Sequence, residues 1–162
     1  SKFEGLLDGS GQKCDSIAMM YYKIYDANNL KKKYEIDNNI KYDIVIRSRF
    51  DLALTKLNLN VPMDTMHIKV RNRVSAGVHD VMFFSNSDYM DKVCNLYEDL
   101  TPEYMKNNIN GDTIIKNRMD KMSIPYHHCM DFSFYFVKPP MVIDYDTERQ
   151  IIPYDNFTGE II

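Results

Sequence analysis

The chain has 162 residues, of which 44% are hydrophobic and 27% are charged, a composition typical of one soluble globular domain. No apolar run approaches the roughly 20 residues that cross a bilayer, so no transmembrane segment is expected. The net charge of -3 argues against a nucleic-acid partner. Cys14, Cys94 and Cys129 are widely spaced and predict reduced thiols, and residues 1–12 have neither a basic region nor the long apolar run of a secretion signal. A protein that is cytoplasmic, or else already processed, is therefore predicted.

Helix and strand signals alternate along the chain, which predicts a mixed α/β fold in a single domain over residues 1–162. Asp15 or Ser16 is expected to cap the first helix, and the Asp37-Asn38-Asn39 cluster to end it. Residues 31–33, three lysines, are expected to form a solvated helix face. In chain order, the predicted elements are a helix at residues 16–35, strands at 42–47, 66–70 and 81–84, helices at 87–100 and 112–122, and a strand at 132–137.

The most informative segment is KYDIVIRSRFDLAL at residues 41–54. Its β-branched run at residues 44–46 predicts a central strand buried on both faces. Because charged residues close this strand, we expect the rim of a sheet where a ligand sits, with Arg47, Arg49 and Asp51 on one face. Two interpretations stay open. The three residues form a structural ion pair, or the carboxylate binds Mg²⁺ or Mn²⁺ while the arginines hold a diphosphate.

The stretch YDIVIRSRFDLAL resembles a hallmark of a group of predicted glycosyltransferases common in large DNA viruses and in bacterial surface-polysaccharide clusters. That pattern reads approximately YD, three hydrophobic residues, then R-x-R-x-D-L. The tyrosine- and lysine-rich helix at residues 19–35 and the block HDVMFFSNSDYMDKVCNLYEDL at residues 79–100 are similar to the same family. The resemblance implies a GT-A fold, which is Rossmann-like, and transfer of a sugar from a nucleotide-diphosphate sugar to a glycan acceptor.

In GT-A domains a strand-helix-strand unit that holds the nucleotide base precedes these blocks. Residues 1–15 are too short to supply it, so we expect the chain to be the later part of such a domain, without its N-terminal nucleotide-binding strands.

The resemblance also implies roles for single residues near the diphosphate. Most GT-A enzymes hold a metal ion with a DxD motif, and the equivalent place in this sequence reads Arg49-Phe50-Asp51. Asp51 is then the expected ligand of Mn²⁺ or Mg²⁺, and Arg47 and Arg49 are expected at the diphosphate. Because Arg49 replaces the first aspartate and can itself neutralise phosphate charge, metal dependence stays open.

Four further residues are candidates for the chemistry. Asp80 and Asp112 are alternative bases for the proton of the acceptor hydroxyl, although Asp80 also fits a turn residue and Asp112 a helix N-cap. His127 and His128 are candidate metal ligands, and neighbours on a strand face opposite sides, so at most one reaches a given ion. The competing hypothesis is a non-catalytic α/β binding or assembly module with a structural Arg-Asp cluster.

Overall fold

The computed structural model of the chain describes residues 3–7, 11, 13–70, 77–107, 111–128, 132–138, 141–144 and 151–153. Side chains at residues 70, 106–107, 111–112, 127–128, 135–138, 141–144 and 151–153 lie outside this description. In chain order the elements are α1 (Cys14–Asn38), β1 (Val45–Ser48), β2 (Leu52–Leu57), β3 (Met66–Val70), β4 (Val78–Ser85), α2 (Ser87–Cys94), α3 (Leu96–Asp99), α4 (Pro102–Asn107), α5 (Gly111–Lys121), β5 (Tyr126–His128), β6 (Phe132–Lys138), β7 (Met141–Asp144) and β8 (Ile151–Pro153). The fold is mixed α/β, as the sequence predicts.

The chain divides into two compact units. The first comprises Ser1–Arg47 and Met63–His128, and the second comprises Ser48–Pro62 and Cys129–Ile162. One sheet has the strand order β1-β4-β3-β5, in which β3 is antiparallel to β4 and parallel to β5. The other has the order β2-β6-β7-β8, and its pairs are antiparallel. The single domain over residues 1–162 stays a prediction.

Helix α1 confirms the first predicted helix and extends it at both ends. It ends at Asn38 because Asn39 adopts the left-handed conformation, with φ 48° and ψ 48°, which a short polar side chain tolerates. The expected stop is therefore confirmed. The expected cap is wrong, since Lys13 occupies the N-cap position without a side-chain hydrogen bond and Asp15 lies inside the first turn.

The core of the first unit is built from α1, α2, α5 and strands β3 and β4. Their inward side chains are apolar and almost fully buried, and burial of each large one contributes about 1.5–3 kcal/mol to stability. These residues include Ile17, Tyr21, Met66, Ile68, Val78, Phe83, Met90, Val93, Cys94, Ile114, Ile115 and Met119.

Strand β1 differs from the prediction. It lies at one end of its sheet, where β4 is its neighbour among the described strands, and the side chain of Ile46 is exposed. The expectation of a central strand buried on both faces is therefore wrong for the part of the chain that the structure describes. A short apolar run shows that a segment is hydrophobic but not how many strands lie beside it. Periodicity in the sequence therefore does not distinguish an edge strand from a central strand.

Two other boundaries differ from the prediction, and several strands were not predicted at all. Strand β4 begins at Val78, so His79 and Asp80 lie inside the strand, and the interpretation of Asp80 as a turn residue is wrong. The helix predicted at residues 87–100 is interrupted at Asn95, which separates α2 from α3. The unpredicted strands are β2, β5, β7 and β8.

Candidate functional site

The turn between β1 and β2 carries a two-pronged ion pair. The Nε of Arg49 donates to Oδ1 of Asp51 at 2.8 Å, and its Nη2 donates to Oδ2 at 2.6 Å. Planar pairing of this kind is among the stronger charge-assisted hydrogen bonds in proteins. The Asp51 side chain is 17% exposed and that of Arg49 is 39% exposed, so the arginine is the more accessible partner. The sequence motif therefore brings Arg49 and Asp51 together in the second unit.

Phe50 lies between the two paired residues and is fully exposed. Its relative accessibility is 102%, whereas the next most exposed large apolar side chain among the described residues, Ile36, reaches 76%. Leaving a phenyl ring in water forgoes about 1.5–3 kcal/mol of burial free energy. A ring presented in this way is available to stack on a flat ligand.

The Arg49-Asp51 pair does not fit a divalent metal ion as it stands. Both carboxylate oxygens already accept hydrogen bonds from the guanidinium, and a metal ion at Asp51 would lie beside a second cation. Within the ranges given above, no group of three or more His, Cys, Asp or Glu side chains is arranged to hold a metal ion. A metal role for Asp51 therefore requires the pair to open.

Arg47 belongs to the first unit, whereas Arg49 and Asp51 belong to the second. Its guanidinium lies over the ring of Phe83, 5.7 Å from the centroid, on the buried side of β4. Burial raises the pKa of the Cys94 thiol to about 12, and the nearby charge of Arg47 opposes that rise. Arg47 thus contacts the core of its own unit.

The two candidate bases occupy different elements of the first unit. Asp80 is half-buried in β4. Asp112 is the second residue of α5, inside the helix and not at its N-cap, and its side chain lies outside the described atoms. Of the two, only Asp80 has a side chain that the structure describes, so a role as base stays a prediction for both.

His127 and His128 form β5 together with Tyr126. The parallel register with β3 pairs His127 with His67 and His128 with Ile68. Their side chains are among those that the structure does not describe, so a ligand role for either histidine stays a prediction.

A buried polar network between α1 and α2 was not predicted. The Nζ of Lys31 lies 3.0 Å from Oε2 of Glu35 and 2.8 Å from Oδ1 of Asp91, and it also donates to the hydroxyl of Ser87. The Lys31 side chain is only 12% exposed, so the expected solvated face is wrong at this residue. The spacing of Lys31 and Glu35, four residues apart on a helix, was a signal in the sequence that could have found part of this network.

Glu35 is the anionic centre of this network. Burial alone would raise the pKa of Glu35, but hydrogen bonds from the backbone N–H of Tyr42, from Ser87 and from Lys31 outweigh it. The pKa of Glu35 is lowered from 4.5 to about 2, so the carboxylate is charged throughout the neutral range. The network therefore ties α1 to α2 and to the chain that leads into β1.

Comparison of the chain with protein-family models, with curated proteins and with solved structures gives no match. The GT-A fold and the glycosyltransferase resemblance therefore stay predictions from the sequence motif. Among the helices that the structure describes, none combines the length and the hydrophobicity needed to cross a membrane.

Proposed function

We propose that the chain is a glycosyltransferase, or the later part of one, that moves a sugar from a nucleotide-diphosphate sugar to a glycan acceptor. In the transfer, the acceptor hydroxyl attacks the anomeric carbon of the donor while the bond from that carbon to the diphosphate oxygen breaks. A carboxylate base takes the hydroxyl proton, and the diphosphate leaves with the electron pair of the broken bond. Arg49 is the cation that stabilises the charge on the leaving diphosphate.

The observation that supports this proposal is the accessible guanidinium of Arg49 on the turn after β1. Arginine is suited to phosphate because its planar fork matches two oxygens at once, and a carboxylate that fixes the guanidinium plane preorganises it. Asp51 provides that carboxylate, with two hydrogen bonds of 2.8 and 2.6 Å. The motif resemblance and the mixed α/β fold are consistent with this use.

The same pair also supports the second candidate, a non-catalytic α/β binding or assembly module. Both oxygens of Asp51 are engaged by Arg49, and Arg47 packs over Phe83, as expected if the charges serve only the fold. In that case the loss of Asp51 lowers stability and has no effect on ligand binding.

Thermal unfolding with UDP-, GDP- and dTDP-sugars, with and without Mn²⁺, separates the two candidates. A donor at a hundred times its Kd stabilises the folded chain by about 2.7 kcal/mol, which raises the Tm by several degrees. We expect at least one donor to raise the Tm of the wild-type chain. Arg49→Gln is expected to fold and to lose that increase, and Asp51→Asn to fold and to show a smaller one.

The matched control is Asp120→Asn, which breaks an exposed ion pair of 2.6 Å with Lys116 and is expected to keep the full increase. If no donor changes the Tm of the wild-type chain, the glycosyltransferase proposal fails. If Asp51→Asn only lowers the Tm and leaves the donor-induced increase intact, the structural module is favoured.

A further inference from the structure

The side of α1 that faces away from the core carries large apolar side chains in water. Leu30 is 68% exposed, and Met19 and Tyr34 are each 53% exposed. Their spacings along the helix are close to whole turns, so the three side chains lie on one face, which we call the outer face of α1. Exposed apolar side chains grouped among charges are typical of a surface that binds a partner. The outer face comprises Met19, Lys23, Asp26, Leu30, Lys33, Tyr34 and Asp37.

The charged residues of the outer face alternate in sign on either side of Leu30. Lys23 lies seven residues before Leu30, and Asp37 lies seven residues after it. Asp26 lies four residues before Leu30, and Lys33 lies three residues after it. These offsets place all four on the side of the helix that carries Leu30, and all four are exposed. Charges at a similar distance before and after Leu30 are therefore opposite in sign.

We infer that the outer face of α1 binds the same face of a second copy of the chain, with the two helices antiparallel and Leu30 at the two-fold axis. A two-fold interface is self-complementary, because every contact between two different positions occurs twice. Rotation about an axis at Leu30 brings each position before it next to the position at a similar distance after it in the other copy. Lys23 then meets Asp37 of the partner subunit, and Asp26 meets the partner's Lys33.

An ion pair that is present within α1 fits this arrangement. The Nζ of Lys33 lies 2.5 Å from Oδ2 of Asp37, on side chains that are 71% and 53% exposed. In the dimer this pair lies beside Lys23 and Asp26 of the partner subunit, which are three residues apart on that helix. The four charges then alternate around a ring, and each has an opposite charge on both sides. Parallel helices in the same register would bring like charges together, which disfavours that arrangement.

The balance of charge on the outer face favours a second copy over other partners. A nucleic acid or an anionic membrane surface binds a face with an excess of lysine and arginine. The lysines of the outer face are matched by as many aspartates, so the face offers no such excess. The contact of Leu30 with its copy buries apolar surface, whereas the ion pairs set the direction and the register of the helices.

Sedimentation velocity at increasing protein concentration tests this dimer. We expect the wild-type chain to change from monomer to dimer between micromolar and millimolar concentration, and added salt to weaken the association. Leu30→Glu places two like charges at the axis and is expected to weaken the dimer by about tenfold or more. The matched control is Ile36→Glu, since Ile36 is 76% exposed on α1 but lies about 120° around the helix from Leu30. This control is expected to form the dimer as the wild-type chain does.

Two charge variants identify the second copy as the partner. Lys23→Glu with Lys33→Glu makes the outer face acidic, and Asp26→Lys with Asp37→Lys makes it basic. Each variant is expected to stay monomeric by itself, because like charges then meet, and a mixture of the two is expected to form dimers. Circular dichroism checks that the variants are folded, as expected for changes at exposed positions.

Three results would overturn the inference. The first is a wild-type chain that stays monomeric up to millimolar concentration. The second is a Leu30→Glu variant that dimerises as well as Ile36→Glu. The third is an acidic or a basic variant that dimerises by itself as the wild-type chain does. All three would leave the proposed function as it stands, because that proposal uses no residue of the outer face.

Discussion

Replacing Glu35 by glutamine tests the polar network that ties α1 to α2. The substitution keeps the shape of the side chain and an oxygen that accepts from the backbone N–H of Tyr42, at 2.9 Å in the wild-type chain. It removes the charge that attracts Lys31 at 3.0 Å. Lys31 retains Asp91 at 2.8 Å, so the network is weakened and not dismantled.

The pKa of Glu35 sets the size of the effect. A fall from 4.5 to about 2 means that the folded chain favours the charged carboxylate by about 3 kcal/mol relative to the unfolded chain. Because the folded pKa is the lower one, this stabilisation is complete above pH 4.5 and is lost as the pH falls from 4.5 towards 2. Glu35→Gln is therefore expected to lower the free energy of unfolding by about 2–3 kcal/mol at pH 7 and progressively less in acid.

Urea unfolding followed by circular dichroism at pH 7, 4.5 and 2.5 measures this difference between the wild-type chain and the variant. Asp37→Asn is the matched control, since Asp37 also pairs with a lysine four residues away, at 2.5 Å, but on the exposed side of α1. This control is expected to change the free energy of unfolding by no more than about 0.5 kcal/mol at every pH. The account of the network is refuted if Glu35→Gln is as stable as the wild-type chain at pH 7, or if the difference does not shrink in acid.

The remaining stability and reactivity predictions concern α2 and its two ends. The Asn86 side chain caps α2 by accepting from the N–H of Tyr89 at 2.9 Å, and it donates to the carbonyl oxygen of Met63 at 2.6 Å. Asn86→Ala is expected to lower the free energy of unfolding by about 1–2 kcal/mol in urea titration, whereas Asn86→Asp is expected to restore the cap. An Asn86→Ala variant as stable as the wild-type chain would contradict this prediction. Because burial raises its pKa to about 12, Cys94 is expected to react with a thiol reagent at pH 8 on the order of 10³-fold more slowly in the folded than in the unfolded chain, measured by mass spectrometry. Equal reaction rates of Cys94 in the folded and the unfolded chain would contradict the burial of this thiol.

The regular elements were predictable where the local pattern is long or sharply bounded. Helix α1 was found because apolar residues recur at helical spacing over many turns, and its end because Asn39 suits the left-handed conformation. Strand β3 was found because apolar and polar residues alternate in MHIKV, and β6 because an apolar run ends just before Pro139 and Pro140. Strand β2 was missed although LALTKL partly alternates, a weak signal in a strand whose side chains are mostly exposed.

The features that were missed depend on contacts between distant parts of the chain. The apolar run at residues 44–46 does not show that β1 ends its sheet among the described strands, with β4 as its neighbour. The burial of Lys31 depends on Asp91, which is sixty residues further along the chain. In the candidate site, the sequence predicted that Arg49 and Asp51 meet, because they are two residues apart, and it gave no sign of the exposure of Phe50.

The proposal that Arg49 binds the diphosphate of a nucleotide-sugar is tested by the NMR signal of the Arg49 Nε–H group. The signal is assigned by its loss in Arg49→Gln and followed during titration with UDP-, GDP- and dTDP-sugars. We expect at least one donor to shift the Arg49 signal in a saturable manner and pyrophosphate to shift it in the same direction. Donor binding that leaves the Arg49 signal in place, or the absence of any response to all three donors, would show that Arg49 does not bind the diphosphate.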